Sequence, residues 1–87
     1  MNKPLTILYF AWLRERIGSG QEELRVPDDV DTVARLVDHL VALGPGYASA
    51  FKNRRTVRCA VNQEFADPRA SIQPGDEVAF FPPVTGG

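Results

Sequence analysis

The residues that could most clearly do chemistry lie at the end of the chain, in the segment Phe81-Pro82-Pro83-Val84-Thr85-Gly86-Gly87. Pro82 and Pro83 cannot donate to a sheet ladder, so we expect them to end a strand and to favour an extended backbone. Extended chain from Pro82 to Gly87 spans about 20 Å, which is long enough to enter a pocket of another protein. The two glycines have no Cβ and can thread a narrow channel, and the reactive group is the α-carboxylate of Gly87. The segment indicates a carboxylate that other enzymes activate, for example as a mixed anhydride with AMP; a chain end without a function is the alternative.

Other nucleophiles and metal ligands are sparse. The sequence has one histidine, His39, and one cysteine, Cys59, and no cluster has the spacing of a metal site. We expect His39 at the surface, Cys59 in the core and the pair Glu22-Glu23 in solvent. No glycine-rich loop follows a strand and opens a helix, so a motif that cradles nucleotide phosphates is absent. The chain therefore needs a separate adenylating enzyme, and we expect no metal and no intrinsic cofactor.

Charge and composition narrow the possible partners. Ten basic residues oppose 11 acidic ones, and the net charge of −1 provides no field that would attract nucleic acid or an anionic membrane. The sequence has one basic cluster, within residues 52–58. Exposure to solvent explains these charges, and contact with an anionic substrate or an acidic partner is the alternative. No segment has the length of a membrane span or the pattern of a signal peptide, and a single cysteine favours the cytoplasm. The basic cluster consists of Lys52, Arg54, Arg55 and Arg58.

The hydrophobic pattern predicts one small domain over residues 1–81 and an extended tail over residues 82–87. Strands are expected at residues 5–11, at 21–26 along an edge, at 56–62, near 65 and at 77–81, with short helical turns at 12–17 and 47–51. One amphipathic helix is predicted at about residues 32–43, with Asp31 as its N-terminal cap. Its apolar stripe consists of Val33, Leu36, Val37, Leu40 and Leu43. The order indicates an α+β fold of four to five strands, with one main helix on one face of the sheet.

Aromatic side chains exceed what one helix can cover. Phe10 or Tyr9, Phe80 or Phe81, and Phe65 cannot all lie beneath the predicted helix. An exposed apolar patch on a small domain usually marks a surface for a partner. Phe81 directly precedes the tail, so we expect the patch and the tail to face the same partner. Coverage by the chain's own loops is the alternative.

Three blocks of the sequence resemble the family of molybdopterin synthase small subunits, which are sulfur carriers with the ubiquitin-like β-grasp fold. The blocks are Leu8-Tyr9-Phe10-Ala11 with Arg14-Glu15 and Gly18, then Ala60-Val61-Asn62, and finally the run from Gly75 to Gly87. A terminal Gly-Gly is shared by ubiquitin-like proteins in general, whereas the sequence Phe-Phe-Pro-Pro-Val-Thr-Gly-Gly is much narrower. The resemblance covers nearly the whole chain and implies a β-grasp fold with a mixed sheet and a flexible C-terminal tail.

The resemblance also implies a mechanism and a set of partners. An adenylyltransferase of the ubiquitin-activating type would use ATP to convert the Gly87 carboxylate to an acyl-adenylate. A sulfur donor would replace AMP and leave a C-terminal thiocarboxylate. The tail would enter the large subunit of a heterotetrameric synthase and deliver sulfur to cyclic pyranopterin monophosphate, in molybdenum cofactor biosynthesis. The chain would act as a non-catalytic, sulfur-donating subunit, with Gly86 allowing the close approach.

The docking residues that we expect are Phe10, Phe65 and Phe81, with tail contacts from Pro82, Pro83, Val84 and Thr85. Three alternatives remain at this point. A sulfur carrier for thiamine or cysteine biosynthesis would keep Gly-Gly, although we expect such a carrier to lack Phe-Phe-Pro-Pro. A protein-conjugation tag would join Gly87 to lysines, and a binding module would need no free carboxylate.

Overall fold

The computed structural model describes residues 3–83 of the chain. Five strands are present in these residues: β1 (Leu5–Tyr9), β2 (Gln21–Leu24), β3 (Arg58–Val61), β4 (Glu64–Ala66) and β5 (Glu77–Phe81). Three α-helices accompany them: α1 (Trp12–Ile17), α2 (Val33–Val41) and α3 (Pro45–Ala50). The strands form one sheet in the order β2-β1-β5-β3-β4, in which β1 and β5 are parallel and the other neighbours antiparallel. The predicted α+β class, the strand number and the edge position of β2 are confirmed.

The first and last strands lie side by side at the centre of the sheet. The parallel register pairs Ile7 with Val78 and Tyr9 with Phe80, and the other edge of β5 pairs with β3. Strand β5 is therefore hydrogen-bonded along both of its edges. The chain that follows Phe81 leaves the domain from a central strand, not from a peripheral one.

Helix α2 has a different cap from the one that the sequence suggested. Thr32 has extended backbone, with φ −135° and ψ 162°, and its Oγ1 accepts a hydrogen bond from the backbone N–H of Arg35 at 3.2 Å. Asp31 lies one residue too early to cap the helix, and its Oδ1 instead pairs with Nη1 of Arg35 at 2.7 Å. The helix ends at Val41, so Leu43 leaves the predicted stripe and is 48% exposed. The other four stripe residues are buried, as predicted.

Several other boundaries differ from the prediction by a few residues. Strand β1 ends at Tyr9 and β2 at Leu24, and β3 begins only at Arg58 because a 3-10 turn over Arg54–Thr56 precedes it. Helix α3 begins at Pro45, two residues earlier than expected. Proline suits this first position because the missing N–H would have no partner within the helix.

Two turns set the register of the C-terminal half. Asn62 and Gln63, between β3 and β4, have positive φ values of 51° and 70°, which is typical of a tight hairpin turn. Asn62 is also hydrogen-bonded to Glu77 at the start of β5, through its side-chain oxygen at 3.0 Å and its backbone N–H at 2.8 Å. The predicted turn before β5 is confirmed, since Asp76 N–H donates to the Gln73 carbonyl at 3.0 Å and Gly75 has φ 91°.

All three helices pack on the same face of the sheet. Leu13 of α1 and Ala50 of α3 belong to the buried cluster that also contains the stripe of α2. The centroid of the Phe80 ring lies 5.0 Å from that of Phe51 and 6.2 Å from that of Tyr9, at the centre of this core. The prediction of one main helix on one face is confirmed, with two short helices added to the same layer.

Candidate docking surface beside the C-terminal segment

The face of the sheet turned away from the helices is the candidate docking surface. Side chains alternate along a strand, so the neighbours of the buried Ile7, Tyr9 and Phe80 face the other way. We call this surface the open face and define it by Leu8, Phe10, Ala60, Phe65, Ala79 and Phe81. The register places Leu8, Ala79, Ala60 and Phe65 in one row across four strands. The open face is thus a continuous apolar strip that extends from β1 to the edge strand β4.

The three phenylalanines expected at a docking surface all lie on the open face. Phe10 is 47% exposed and Phe65 is 85% exposed, whereas Phe81 is half-buried. The ring centroids of Phe65 and Phe81 are 5.9 Å apart at an interplanar angle of 60°. Phe10 N–H donates to the Phe80 carbonyl at 3.1 Å, which brings Phe10 beside the end of β5. The sheet therefore gathers residues that are up to 71 positions apart in the sequence, from 10 to 81.

The structure also decides which member of each aromatic pair faces the core. Tyr9 and Phe80 are each 1% exposed and stack with an interplanar angle of 14°. Their neighbours Phe10 and Phe81 face outward because successive residues of a strand point to opposite sides of the sheet. The predicted surplus of aromatic residues is confirmed for residues 3–83, and no described helix covers it.

An aromatic side chain as exposed as Phe65 contributes little to the stability of its own domain. Burial of a phenylalanine is worth about 1.5–3 kcal/mol relative to exposure in water, and most of that free energy is not gained here. A partner that covers Phe65 and Phe10 would gain it on association. The open face therefore has the chemistry of an association surface, because its apolar area becomes favourable only when another molecule covers it.

The C-terminal segment, residues 82–87, begins directly at the edge of the open face. Strand β5 ends at Phe81, and Pro82 and Pro83 follow it outside any strand, which confirms that the prolines end the strand. The remaining predicted tail residues, Val84, Thr85, Gly86 and Gly87, lie outside the described residues. Their roles, including the thiocarboxylate at Gly87, stay predictions, as does the division of the chain at residue 82.

The isolated cysteine and histidine have no catalytic setting. Cys59 is 6% exposed and its Sγ donates to the Ala66 carbonyl at 3.2 Å, as expected of a core residue. Burial raises the pKa of the Cys59 thiol, and the negative charge of Asp67 raises it further, so the reactive thiolate is disfavoured. His39 is half-buried on α2. Within residues 3–83, no group of three histidine, cysteine or acidic residues is arranged to hold a metal ion.

A partly buried hydrogen-bond network on the helix side of the sheet was missed by the sequence analysis. Glu22, which we expected in solvent, accepts hydrogen bonds at Oε2 from the hydroxyls of Tyr9 at 2.7 Å and Tyr47 at 2.8 Å. Burial and the hydrogen bond to Glu22 raise the pKa of Tyr9, and the same two causes raise the pKa of Tyr47 to about 12. The network ties α3 to β1 and β2 on the helix side. The sequence of β2 gave one signal for this network, since polar and apolar residues alternate there and Glu22 lies on the same face as the apolar Leu24.

No helix within residues 3–83 is long and apolar enough to cross a membrane.

Comparison with known proteins relates the chain to one family. Residues 7–87 match the ThiS family.

Two curated relatives match over nearly their full length. The molybdopterin synthase sulfur carrier subunit of Escherichia coli is 40% identical over 83 residues, which cover 95% of this chain and 99% of that protein. The molybdopterin synthase sulfur carrier subunit of Haemophilus influenzae is 37% identical, with the same coverage of 95% and 99%. Among solved structures, the small archaeal modifier protein 1 of H. volcanii superposes with a TM-score of 0.72 at 29% identity, covering 94% of this chain and 99% of that one. This likeness confirms the ubiquitin-like β-grasp fold.

Proposed function

The chain belongs to the ThiS family, and from this premise we propose that it is the sulfur carrier subunit of a molybdopterin synthase. The names of the relatives that are 37% and 40% identical support the assignment. The family match extends to Gly87 and so includes the terminal Gly-Gly. The observation that carries the proposal is the position of Phe10, Phe65 and Phe81 on one open face, at the strand end from which the C-terminal segment departs.

The proposed chemistry takes place on the carboxylate of Gly87. An adenylyltransferase transfers AMP from ATP to this carboxylate and releases pyrophosphate. A sulfur donor then adds sulfur at the acyl carbon and AMP leaves, which yields the thiocarboxylate. Its sulfur forms a bond to a carbon of cyclic pyranopterin monophosphate as that carbon loses an oxygen substituent. Water then cleaves the acyl–sulfur bond, which restores the carboxylate and leaves the sulfur on the acceptor as a thiolate. Two thiocarboxylates are consumed for each dithiolene, because each one delivers a single sulfur atom.

The domain's own contribution is to dock and to orient. The open face associates with the large subunit through Phe10, Phe65 and Phe81, while Pro82 and Pro83 direct the chain away from the sheet. Val84 and Thr85 are proposed to contact the large subunit, and Gly86 to let the terminus enter a narrow site. Exclusion of water by the partner protects the thiocarboxylate until the acceptor is bound. The proposed assembly is a heterotetramer of two small and two large subunits.

A reconstitution tests the proposal. The chain is incubated with an adenylyltransferase of the ubiquitin-activating type, ATP and a sulfide source, and its intact mass is measured without thiols. We expect a gain equal to sulfur minus oxygen, localised to the C-terminal peptide. Addition of the large subunit and cyclic pyranopterin monophosphate should reverse the gain while the dithiolene product appears.

The matched control carries one alanine after Gly87, which leaves the domain unchanged and blocks the reacting carboxylate. This variant should gain no sulfur. An unmodified mass for the unaltered chain, under conditions in which a known carrier is converted, would contradict the proposal.

A protein-conjugation tag is the second candidate, and the likeness to a small archaeal modifier protein favours it. In that case the activated Gly87 forms an isopeptide bond with lysine amines of other proteins. Covalent adducts of this chain in extracts of the native cell, resistant to thiols and lost when Gly86-Gly87 is deleted, would support the tag. A C-terminal thiocarboxylate without such adducts would support the carrier.

A further inference from the structure

A cavity on the helix side of the sheet is lined by none of the six residues that define the open face. It has a volume of about 450 Å³ and opens between α2, the 3-10 turn at Arg54–Thr56 and strands β3 and β4. This volume is within the range of about 300–1,000 Å³ that is typical of small-molecule sites. Its apolar walls include Val33, Val37, Phe51, Val57, Cys59 and Phe80.

The cavity exists because short side chains line the gap between α2 and the last strands. Ala34 of α2 and Ala66 of β4 both border it, and neither side chain reaches across. Strand β4 has only three residues, so the sheet ends before the helix is fully covered. Phe80 and Phe51 line the cavity but are only 1% and 2% exposed, so the apolar surface that a ligand can contact comes from the half-buried Ala34, Val57 and Ala66. A ligand would therefore meet a preformed apolar surface.

Arginines border the cavity on the side of the 3-10 turn. Arg54, Arg55 and Arg58 all contribute to its lining, whereas Lys52 of the same basic cluster does not. Nη2 of Arg54 pairs with Oδ1 of Asp38 at 2.7 Å, and Nη1 of Arg58 donates to the Arg55 carbonyl at 2.8 Å.

These contacts leave the rim with excess positive charge. The guanidinium of Arg55 makes no ion pair within the described part of the chain, and one acidic residue, Asp67, also lines the cavity. Since Arg54 is paired with Asp38, the guanidiniums of Arg55 and Arg58 are left to face one lining carboxylate. The apolar wall and the cationic rim together select a ligand that has both an apolar body and an anionic head.

We propose that this cavity is a binding site for a small amphipathic carboxylate, whose apolar chain lies against Ala34, Val57 and Ala66 and whose carboxylate meets Arg55 at the rim. A purely polar anion would leave the walls in contact with water, and a neutral apolar ligand would leave the rim charge unmatched. The six residues that define the open face do not line the cavity, although Arg58 of the rim pairs with Phe81 in the sheet.

Titration of the ¹⁵N-labelled full chain with octanoate, and in parallel with octanol, tests the proposal by chemical-shift mapping. We expect octanoate to shift the amides of Ala34, Val37 and Cys59, with an affinity about fivefold higher than that of octanol, since a partly exposed ion pair is worth up to about 1 kcal/mol. Octanoate shifts confined to the open face, equal affinities for the two probes, or no shifts up to the solubility limit would each overturn the proposal.

Substitutions separate the rim from the walls. Arg55→Gln should weaken octanoate about fivefold and leave octanol unchanged, since it removes one rim charge. Arg14→Gln, which removes the same charge from α1 outside the cavity, should change neither. Ala34→Leu should fill the cavity and reduce the binding of both probes, and the exposed Arg55 keeps the test valid if that variant fails to fold. Equal octanoate affinity in Arg55→Gln and in the unaltered chain would refute the role of the rim.

Discussion

The two faces of the sheet use the same kind of residue for opposite purposes. Phe80 and Phe81 are consecutive in β5, yet Phe80 is 1% exposed between Tyr9 and Phe51, whereas Phe81 lies on the open face against Phe65. The helix side gains the free energy of apolar burial when the chain folds. On the open face, that gain is largely postponed until a partner arrives. Stability and association should therefore be separable by substitution at adjacent positions.

Deletion of Gly86-Gly87 should have the largest effect, on function alone. The deletion removes the carboxylate that is proposed to carry sulfur, so we expect product formation by the reconstituted synthase to fall below detection. The residues that form the core, from Leu5 to Phe80, are all retained. The measurements are dithiolene product formation and thermal unfolding of the isolated chain, and a truncated chain that remained active would refute the proposed chemistry.

Phe80→Ala should have the largest effect on stability. The substitution removes a fully buried ring from the aromatic cluster, and we expect the free energy of unfolding to fall by about 3–5 kcal/mol. Chemical denaturation with a fixed two-state analysis measures the change. A loss below about 1 kcal/mol would show that the helix-side core does not depend on this ring, and the contrast between the two faces would fail.

Phe81→Ala should show the reverse pattern. We expect the affinity for the large subunit to fall by about 2 kcal/mol, or roughly 30-fold, because a ring at the centre of an apolar surface is typical of a binding hot spot. Unfolding should change by less than about 1 kcal/mol, since the ring is only half-buried. Calorimetric titration and denaturation measure the two quantities.

Phe65→Ser serves as a matched variant for Phe81→Ala. Phe65 is 85% exposed, so stability should stay within about 0.5 kcal/mol while the affinity for the large subunit falls. If both variants bound the large subunit as well as the unaltered chain does, the open face would not be the docking surface.

Tyr47→Phe should have the smallest effect, on the helix side only. It removes one hydroxyl that donates to Glu22, and we expect a loss of about 1 kcal/mol at neutral pH. The folded pKa of Tyr47, at about 12, lies above the ordinary tyrosine value of 10.0, so this stabilisation is present below pH 10 and is lost as the pH rises toward 12. Denaturation at pH 7 and again above pH 10 should show the deficit of the variant shrinking, whereas a deficit that grew with pH would contradict this assignment.

The sequence alone was enough to predict the class of fold, the strand number and the aromatic surplus. These features depend on local pattern: β-branched and aromatic runs, one helical stripe, and turn residues such as Pro74 and Gly75. At the start of α2, local pattern suggested the wrong cap, because Asp31 and Thr32 are both good capping residues. Only the backbone geometry, with extended Thr32 and a hydroxyl in reach of Arg35, decides between them.

Features that depend on two distant segments could not be predicted. The choice between Tyr9 and Phe10 depends on the register with β5, which is set 70 residues away in the sequence at Phe80. The pairing of Glu22 with Tyr47 needs α3 to dock beside β2, and the arginine-bordered cavity needs the distance between α2 and β4. None of these has a periodic signature.

The central position of β5 has a mechanical consequence for the proposed function, in which the end of the chain enters and leaves a narrow site. Tension applied to the residues after Phe81 acts along a strand that is clamped by β1 on one edge and β3 on the other. A strand pulled along its own axis loads its hydrogen bonds together, in shear, and β5 has such bonds along both edges whereas an edge strand has them along one. Withdrawal of the C-terminal segment can therefore strain the rest of the sheet without unravelling it.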